Sequence, residues 1–250
     1  MKKLAFFDSG LGGLTVLHEA LKQMPNEQYI YFADSDNAPY GIQSTAAIKT
    51  LVFDAVEFLM QQDLKALVLA CNTATSVVVK DLRQQYTIPI IGMEPAVKPA
   101  IELAKHKKTL ICATKKTLAE NKLQLLIENL NATDKVKRLS LQGLVTFAEN
   151  FNFNGIEVVH YLNHSFQNIN WEEFDSIVLG CTHFIYFKPI IQTLIPSHIR
   201  ILDGNEGTIN HLRSKISLAT TMTTFPIEFF TSKKAMPASH FAPCFDLLNQ

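Results

Sequence analysis

Two stretches constrain this chain more than any others: LVLACNTATS, from Leu67 to Ser76, and IVLGCTHF, from Ile177 to Phe184. Each is an apolar, β-branched run of the kind that forms a strand buried on both faces. Each ends in a cysteine followed by small hydroxyl or amide residues. Such a cysteine sits at a strand's carboxyl end, where open α/β sheets bind their ligands. Cys181 follows Cys71 by 110 residues. The repeat predicts two similar lobes, each offering a thiol to one crevice.

The rest of the chain supports that plan. At 250 residues it is long for one core and comfortable for two. Lys3 to Phe7 reads as a strand, the loop DSGLGG follows, and an apolar-periodic helix runs from Leu14 to Met24. The strand YIYFA ends at Ala33, and the loop DSDNAPYG turns tightly at Pro39 and Gly41. Ser44 is placed to cap a helix to Gln61. A helix to about Gln85 follows Cys71, then the short strand IPIIG and a turn into another helix through MEPAVKPA. TLICA, near Thr109, opens a second series. TKKTLAENKLQLLIENL reads there as one helix to Leu130, Val136 to Leu141 as a strand, and Val145–Asn150 and Gly155–Phe166 as helices.

Beyond Phe184 come a short helix containing Pro189, the strand HIRILD, the helix GNEGTINHLRSKI and a strand around Pro226 to Phe230. Alternating strands and helices predict an α/β fold of two doubly wound lobes with the active site between them. The first lobe is expected over 1–94 plus 205–250, carrying Asp8 and Cys71. The second is expected over 95–204, carrying Cys181 and His183. The last twenty residues, with Pro237, Pro243 and Cys244, show no clear period and are left unassigned.

Lysine plus arginine equals aspartate plus glutamate, 23 of each, so no overall field favours nucleic acid or an acidic membrane. The apolar run before Asp8 is too short for a signal peptide or a membrane span, and a cytoplasmic location is expected. Cys71, Cys112, Cys181 and Cys244 have no metal-type spacing and should be free thiols. His160 and His164 are four apart, but no further ligand is spaced to complete a zinc site, so no metal is expected.

The GLGG loop invites a dinucleotide reading. The third glycine of that fingerprint would fall at Thr15, however, and no P-loop lysine is present. What remains is a turn whose N–H groups suit a small anion such as a carboxylate. A lone cysteine often packs as a small hydrophobe. Cys71 is set apart by Asn72, Thr73, Thr75 and Ser76, which suit a helix start, and a helix N-terminus should lower a thiol's pKa. Cys112 and Cys244 lack such flanks and are expected to be structural.

Two thiols flanking one small ligand suit inversion at a carbon. A proton leaves one face and another arrives on the opposite face, so one group must be thiolate and the other thiol. Donors aimed at an α-carboxylate would stabilise the carbanion, and Asp8 would hold an ammonium.

DSGLGGLTV at 8–16, PYG at 39–41, ACNTAT at 70–75, GMEP at 92–95 and GCTHF at 180–184 together resemble the motif set of bacterial glutamate racemases, over Lys3 to about Lys215. Aspartate racemases share the two-cysteine plan but usually carry Glu after the second Cys-Thr, where this chain has His183. The resemblance implies a cofactor-independent enzyme that interconverts L- and D-glutamate and supplies the D-isomer for peptidoglycan. It implies Cys71 and Cys181 as the two bases, with Asp8 and His183 supporting their proton transfers. Substrate contacts are implied for Asp8, Ser9, Tyr40, Gly41, Asn72, Thr73, Thr182 and His183. Thr114 and Thr117 would meet the distal carboxylate, and Glu149 would lie near the ammonium. Family members often form homodimers, to which the apolar tail FAPCFDLL would be suited.

Glu120, Leu123, Thr146 and Ile185 depart from the family pattern without removing a base. Three other readings stay open. They are an aspartate or other amino-acid racemase, a thiol hydrolase or amidase using Cys181 and His183, and a two-lobed amino-acid binding protein with incidental thiols. Against the hydrolase stands the expectation that residues two apart on a loop seldom aim at each other.

Overall fold

A computed structural model describes residues 2–104, 107–220 and 226–250. The chain runs β1 (Lys3–Asp8), α1 (Leu14–Gln23), β2 (Tyr29–Ala33), α2 (Thr45–Met60), β3 (Leu64–Leu69), α3 (Asn72–Gln85), β4 (Ile90–Gly92) and α4 (Val97–Leu103). It continues through β5 (Lys108–Ala113), α5 (Lys115–Ala119), α6 (Asn121–Asn129), β6 (Val136–Ser140), α7 (Gly143–Glu149), α8 (Ile156–Phe166), β7 (Phe174–Leu179), α9 (Lys188–Leu194) and β8 (Arg200–Asp203). Last come α10 (Asn205–Lys215), β9 (Glu228–Thr231), β10 (Lys234–Met236) and α11 (Ala242–Leu248). Among the described residues, no helix is long and apolar enough to cross a membrane.

The strands form two sheets, ordered β10-β9-β2-β1-β3-β4 and β6-β5-β7-β8. Four strands of the first sheet, β2-β1-β3-β4, repeat the order of the second. The register irregularity recurs as well, between Lys3 and Leu4 in one lobe and between Lys108 and Thr109 in the other. All pairings are parallel except that of β9 with β10. The two strands that lead to Cys71 and Cys181 are therefore equivalent, each the third of its lobe. Both are apolar because helices cover both of their faces. Val68, Leu69, Val178 and Leu179 are almost completely buried.

Two expectations need correction. The segment after Thr114 is not one helix: Glu120, at φ −74° and ψ 136°, is extended and separates α5 from α6. Its carboxylate pairs with Lys116 at 3.2 Å. The unassigned tail is structured. It folds back as β10 against β9, then as α11, and buries Phe241 and Cys244 completely against the chain's own core. Phe241 stacks on Phe229 at 4.8 Å between ring centroids.

Candidate active site

Cys71 lies just beyond β3 and caps α3, its sulfur accepting the Ala74 N–H at 3.4 Å. Ser9, from the loop after β1, places its hydroxyl 3.5 Å from the same sulfur. Cys181 lies just beyond β7 and opens a 3-10 turn over Thr182–Phe187. That tight turn brings the His183 ring back toward its neighbour, so that Nδ1 is 3.7 Å from the Cys181 sulfur. The expectation that two residues so close in sequence would not aim at each other is thus overturned. Both thiols line one crevice with Ser9, Tyr40, Gly41, Asn72, Thr73, Thr114, Thr182 and His183. Its volume is about 10 Å³, room for about one water. A bound amino acid needs more room than this crevice leaves.

The glycine loop does not offer its N–H groups to a ligand here, contrary to expectation. Gly10 donates to Asp8 Oδ1 at 2.8 Å, Leu11 to Glu149 Oε1 at 2.7 Å, and Gly12 to His183 Nε2 at 3.2 Å. The loop is glycine-rich for steric reasons. A Cβ at Gly10 would strike the Glu149 carboxyl, and one at Gly12 the His183 ring and the Thr182 hydroxyl. Asp8 also accepts the Thr182 hydroxyl at 3.2 Å, a bond that spans the crevice from one lobe to the other.

Burial dominates the charges. Desolvation raises the Asp8 carboxyl to about 6; the His183 charge and the Gly10 N–H oppose it. Desolvation, with the Asp8 charge adding to it, pushes the Cys71 thiol up to about 12. The capping N–H and Ser9 lower it only in part, so the expected net decrease from the helix start does not occur in the closed crevice. His183 runs the other way. Burial disfavours its imidazolium, but hydrogen bonds to Cys181 and Glu149, and the Glu149 charge, outweigh burial and hold its pKa well above the ordinary value.

Among the remaining anticipated residues, Thr73, Thr114 and Thr117 bring their hydroxyls together at 3.0–3.2 Å in a buried cluster. Thr117 lines a larger neighbouring cavity of about 460 Å³ rather than the crevice itself. Tyr40 donates to Asp34 Oδ2 at 2.6 Å, so its ring rather than its hydroxyl is presented. Both polar atoms of the Asn72 amide are buried without a partner within the protein, as suits a group that binds a ligand. Glu149 sits 2.5 Å from His183 Nε2. Pro39 and Val145 also line the crevice and had not been anticipated. Pro39 opens the PYG motif, whose other two residues were anticipated, whereas Val145 is an ordinary apolar helix position that nothing in its sequence context marks. Among the described residues no group of three His, Cys, Asp or Glu side chains is arranged to hold a metal ion.

The Asp/Glu/Hydantoin racemase family matches residues 9–212. A curated glutamate racemase of Halothermothrix orenii is 49% identical over 212 residues, 85% of this chain and 84% of that protein. The crystal structure of a glutamate racemase isoform from Bacillus anthracis superposes with a TM-score of 0.87 at 30% identity, covering 100% of this chain and 94% of that one. A Francisella tularensis glutamate racemase crystallised with D-glutamate gives 0.81 at 26% identity, covering 100% and 94%. With a duplicated α/β fold, paired strand-end cysteines and these relatives in agreement, the chain belongs to the Asp/Glu/Hydantoin racemase family.

Proposed function

We propose that this racemase interconverts L- and D-glutamate without a cofactor, using Cys71 and Cys181 as bases on opposite faces of the α-carbon. The observation that carries the reading is that both sulfurs line one crevice, together with Ser9, Asn72, Thr73, Thr114, Thr182 and His183. One thiolate takes the α-hydrogen as a proton and becomes a thiol, leaving the electron pair on a planar carbanion. The other thiol delivers its proton to the opposite face and becomes the thiolate. The enzyme thus ends each turnover poised for the other enantiomer.

The remaining residues have roles that follow from this chemistry. A bound ammonium brings positive charge into the crevice and favours the thiolate of Cys71, which burial alone disfavours. Asp8 is the natural carboxylate for that ammonium. His183, held by Glu149, supports proton traffic at Cys181. At Cys71 the supporting contact is Ser9, with Asp8 acting through its charge. The unpartnered Asn72 amide and the backbone at the start of α3 suit the α-carboxylate, where negative charge develops. The Thr73 and Thr114 hydroxyls, with Thr117 hydrogen-bonded behind them, suit the distal carboxylate.

Glutamate is favoured over other amino acids by the relatives named above. Supply of the D-isomer for peptidoglycan is the role that the resemblance to bacterial glutamate racemases implies. Circular dichroism of L- and D-glutamate, set beside L- and D-aspartate, tests the substrate. Loss of signal from both glutamate enantiomers, with aspartate unchanged, is expected. Rescue of a D-glutamate-requiring bacterial strain tests the role. The Cys181 and His183 contact keeps a thiol hydrolase in view, and release of ammonia from glutamine at the rate of a true substrate would favour it.

A further inference from the structure

Two tyrosines outside the crevice reach the backs of the peptide planes whose fronts face His183 and Glu149. Tyr31, on β2, donates its hydroxyl to the Gly10 carbonyl at 2.6 Å. Tyr186, in the turn after Cys181, donates to the Leu11 carbonyl at 2.8 Å. In a trans peptide the C=O and the following N–H point in opposite directions. Fixing the Gly10 carbonyl therefore aims the Leu11 N–H, which meets Glu149 Oε1, and fixing the Leu11 carbonyl aims the Gly12 N–H, which meets His183 Nε2.

These two N–H groups make opposite demands on one proton. The Nε2 to Oε1 contact of 2.5 Å holds a single shared hydrogen. The Leu11 N–H is best satisfied when Glu149 is a carboxylate and the proton sits on Nε2. The Gly12 N–H can donate to Nε2 only when that nitrogen's single lone pair is free, which requires the shared proton to have left the pair and leaves the imidazole proton on Nδ1, facing Cys181. We propose that Tyr31 and Tyr186 are positioning residues that act through consecutive peptides of the glycine loop to set, in opposing senses, how firmly the His183–Glu149 pair holds its proton. Tyr31 favours the imidazolium, and Tyr186 favours the neutral ring with its proton toward Cys181.

Both hydroxyls are held from behind by the tail. The Tyr31 ring packs edge-on against Phe241 at 5.9 Å. Cys244, on α11, is fully buried on the same side, and the Tyr186 hydroxyl donates its proton to the Leu11 carbonyl. The titratable groups facing the pair from the surrounding elements are Asp8 on β1, Tyr31 on β2, Cys181 and Tyr186 after β7, and Cys244 on α11. The two tyrosines and Cys244 stay neutral around pH 7, burial raising each. Asp8 and Cys181 are common to every variant compared below.

The experiment is the ring titration of His183, followed by NMR on protein labelled with ¹⁵N-histidine and assigned by the signal lost in His183→Asn. Tyr31→Phe should lower the midpoint and Tyr186→Phe should raise it, each by about 0.5 pH or more. If Tyr186→Phe does not fold, the Tyr31→Phe midpoint alone decides, and an unchanged or raised midpoint overturns the proposal. Loss of packing alone would move both midpoints the same way or neither, and either result overturns the proposal. The inference rests on the racemase reading, and the two fail separately: a wild-type protein that leaves glutamate enantiomers unchanged sinks that reading, while the opposed titration shifts still decide this one.

Discussion

His183 is held between a thiol and a carboxylate, with Nδ1 3.7 Å from Cys181 and Nε2 2.5 Å from Glu149 Oε1. The ring thereby joins Cys181 to a negative charge that stabilises its protonated form. Glu149→Gln keeps the shape but removes the countercharge. Racemisation kcat is expected to fall about 10²-fold, the scale of one assisting acid or base. Steady-state polarimetry checks this, and wild-type turnover in the variant would remove Glu149 from the proton path.

Asp8 gives a pH dependence of definite sign. Its folded carboxyl is raised from 3.8 to about 6 by burial, so the folded state binds its proton more tightly than the unfolded chain does. The resulting stability is present in full below the unfolded value and is lost as pH rises through about 6, a difference of about 3 kcal/mol. Asp8→Asn escapes this loss. The melting temperature of the variant relative to wild type, without substrate, should therefore climb between about pH 4 and pH 7 and then level off.

The glycine loop can be probed sterically. Gly12→Ala drives a methyl group into the His183 ring and the Thr182 hydroxyl. Displacement of that pair by about 1 Å should cost about 10²-fold in kcat. Gly207→Ala, in α10 with nothing within 4 Å of the added carbon, is the control. It should leave activity unchanged and raise stability by about 0.5–1 kcal/mol. Equal activities would mean the loop yields without disturbing His183.

The tail carries stability. Phe241 is fully buried and stacked on Phe229. Phe241→Ala should cost about 3–5 kcal/mol in urea unfolding, as large aromatic truncations in cores do.

The sequence made the strands and the paired thiols legible because both faces of a central parallel strand are buried, so the apolar runs before Cys71 and Cys181 stand out without any partner being known. It hid what depends on distant neighbours. Glu120 has ordinary helix propensity, and only its extended backbone, beside a pairing with Lys116, breaks α5 from α6. The tail's strand and helix are short and draw their order from Phe229 and Tyr31, some 10 and 210 residues away. The flanks of Cys71 point to a lowered pKa, opposite to the shift found, because they reveal the capping N–H but not the depth of burial or the Asp8 charge beside it. The aim of His183 at Cys181 is set by a 3-10 turn, where a helical continuation would have carried the ring away.

The central claim is that two sulfurs exchange hydrogen with one α-carbon. The direct measurement is NMR of L-glutamate incubated in deuterated buffer with wild type, Cys71→Ala and Cys181→Ala, alongside polarimetry. The wild type should lose rotation as deuterium enters the α-position, and each variant should racemise at least about 10³-fold more slowly. Racemisation at the wild-type rate with either thiol removed, or loss of rotation without deuterium at the α-carbon, would contradict it.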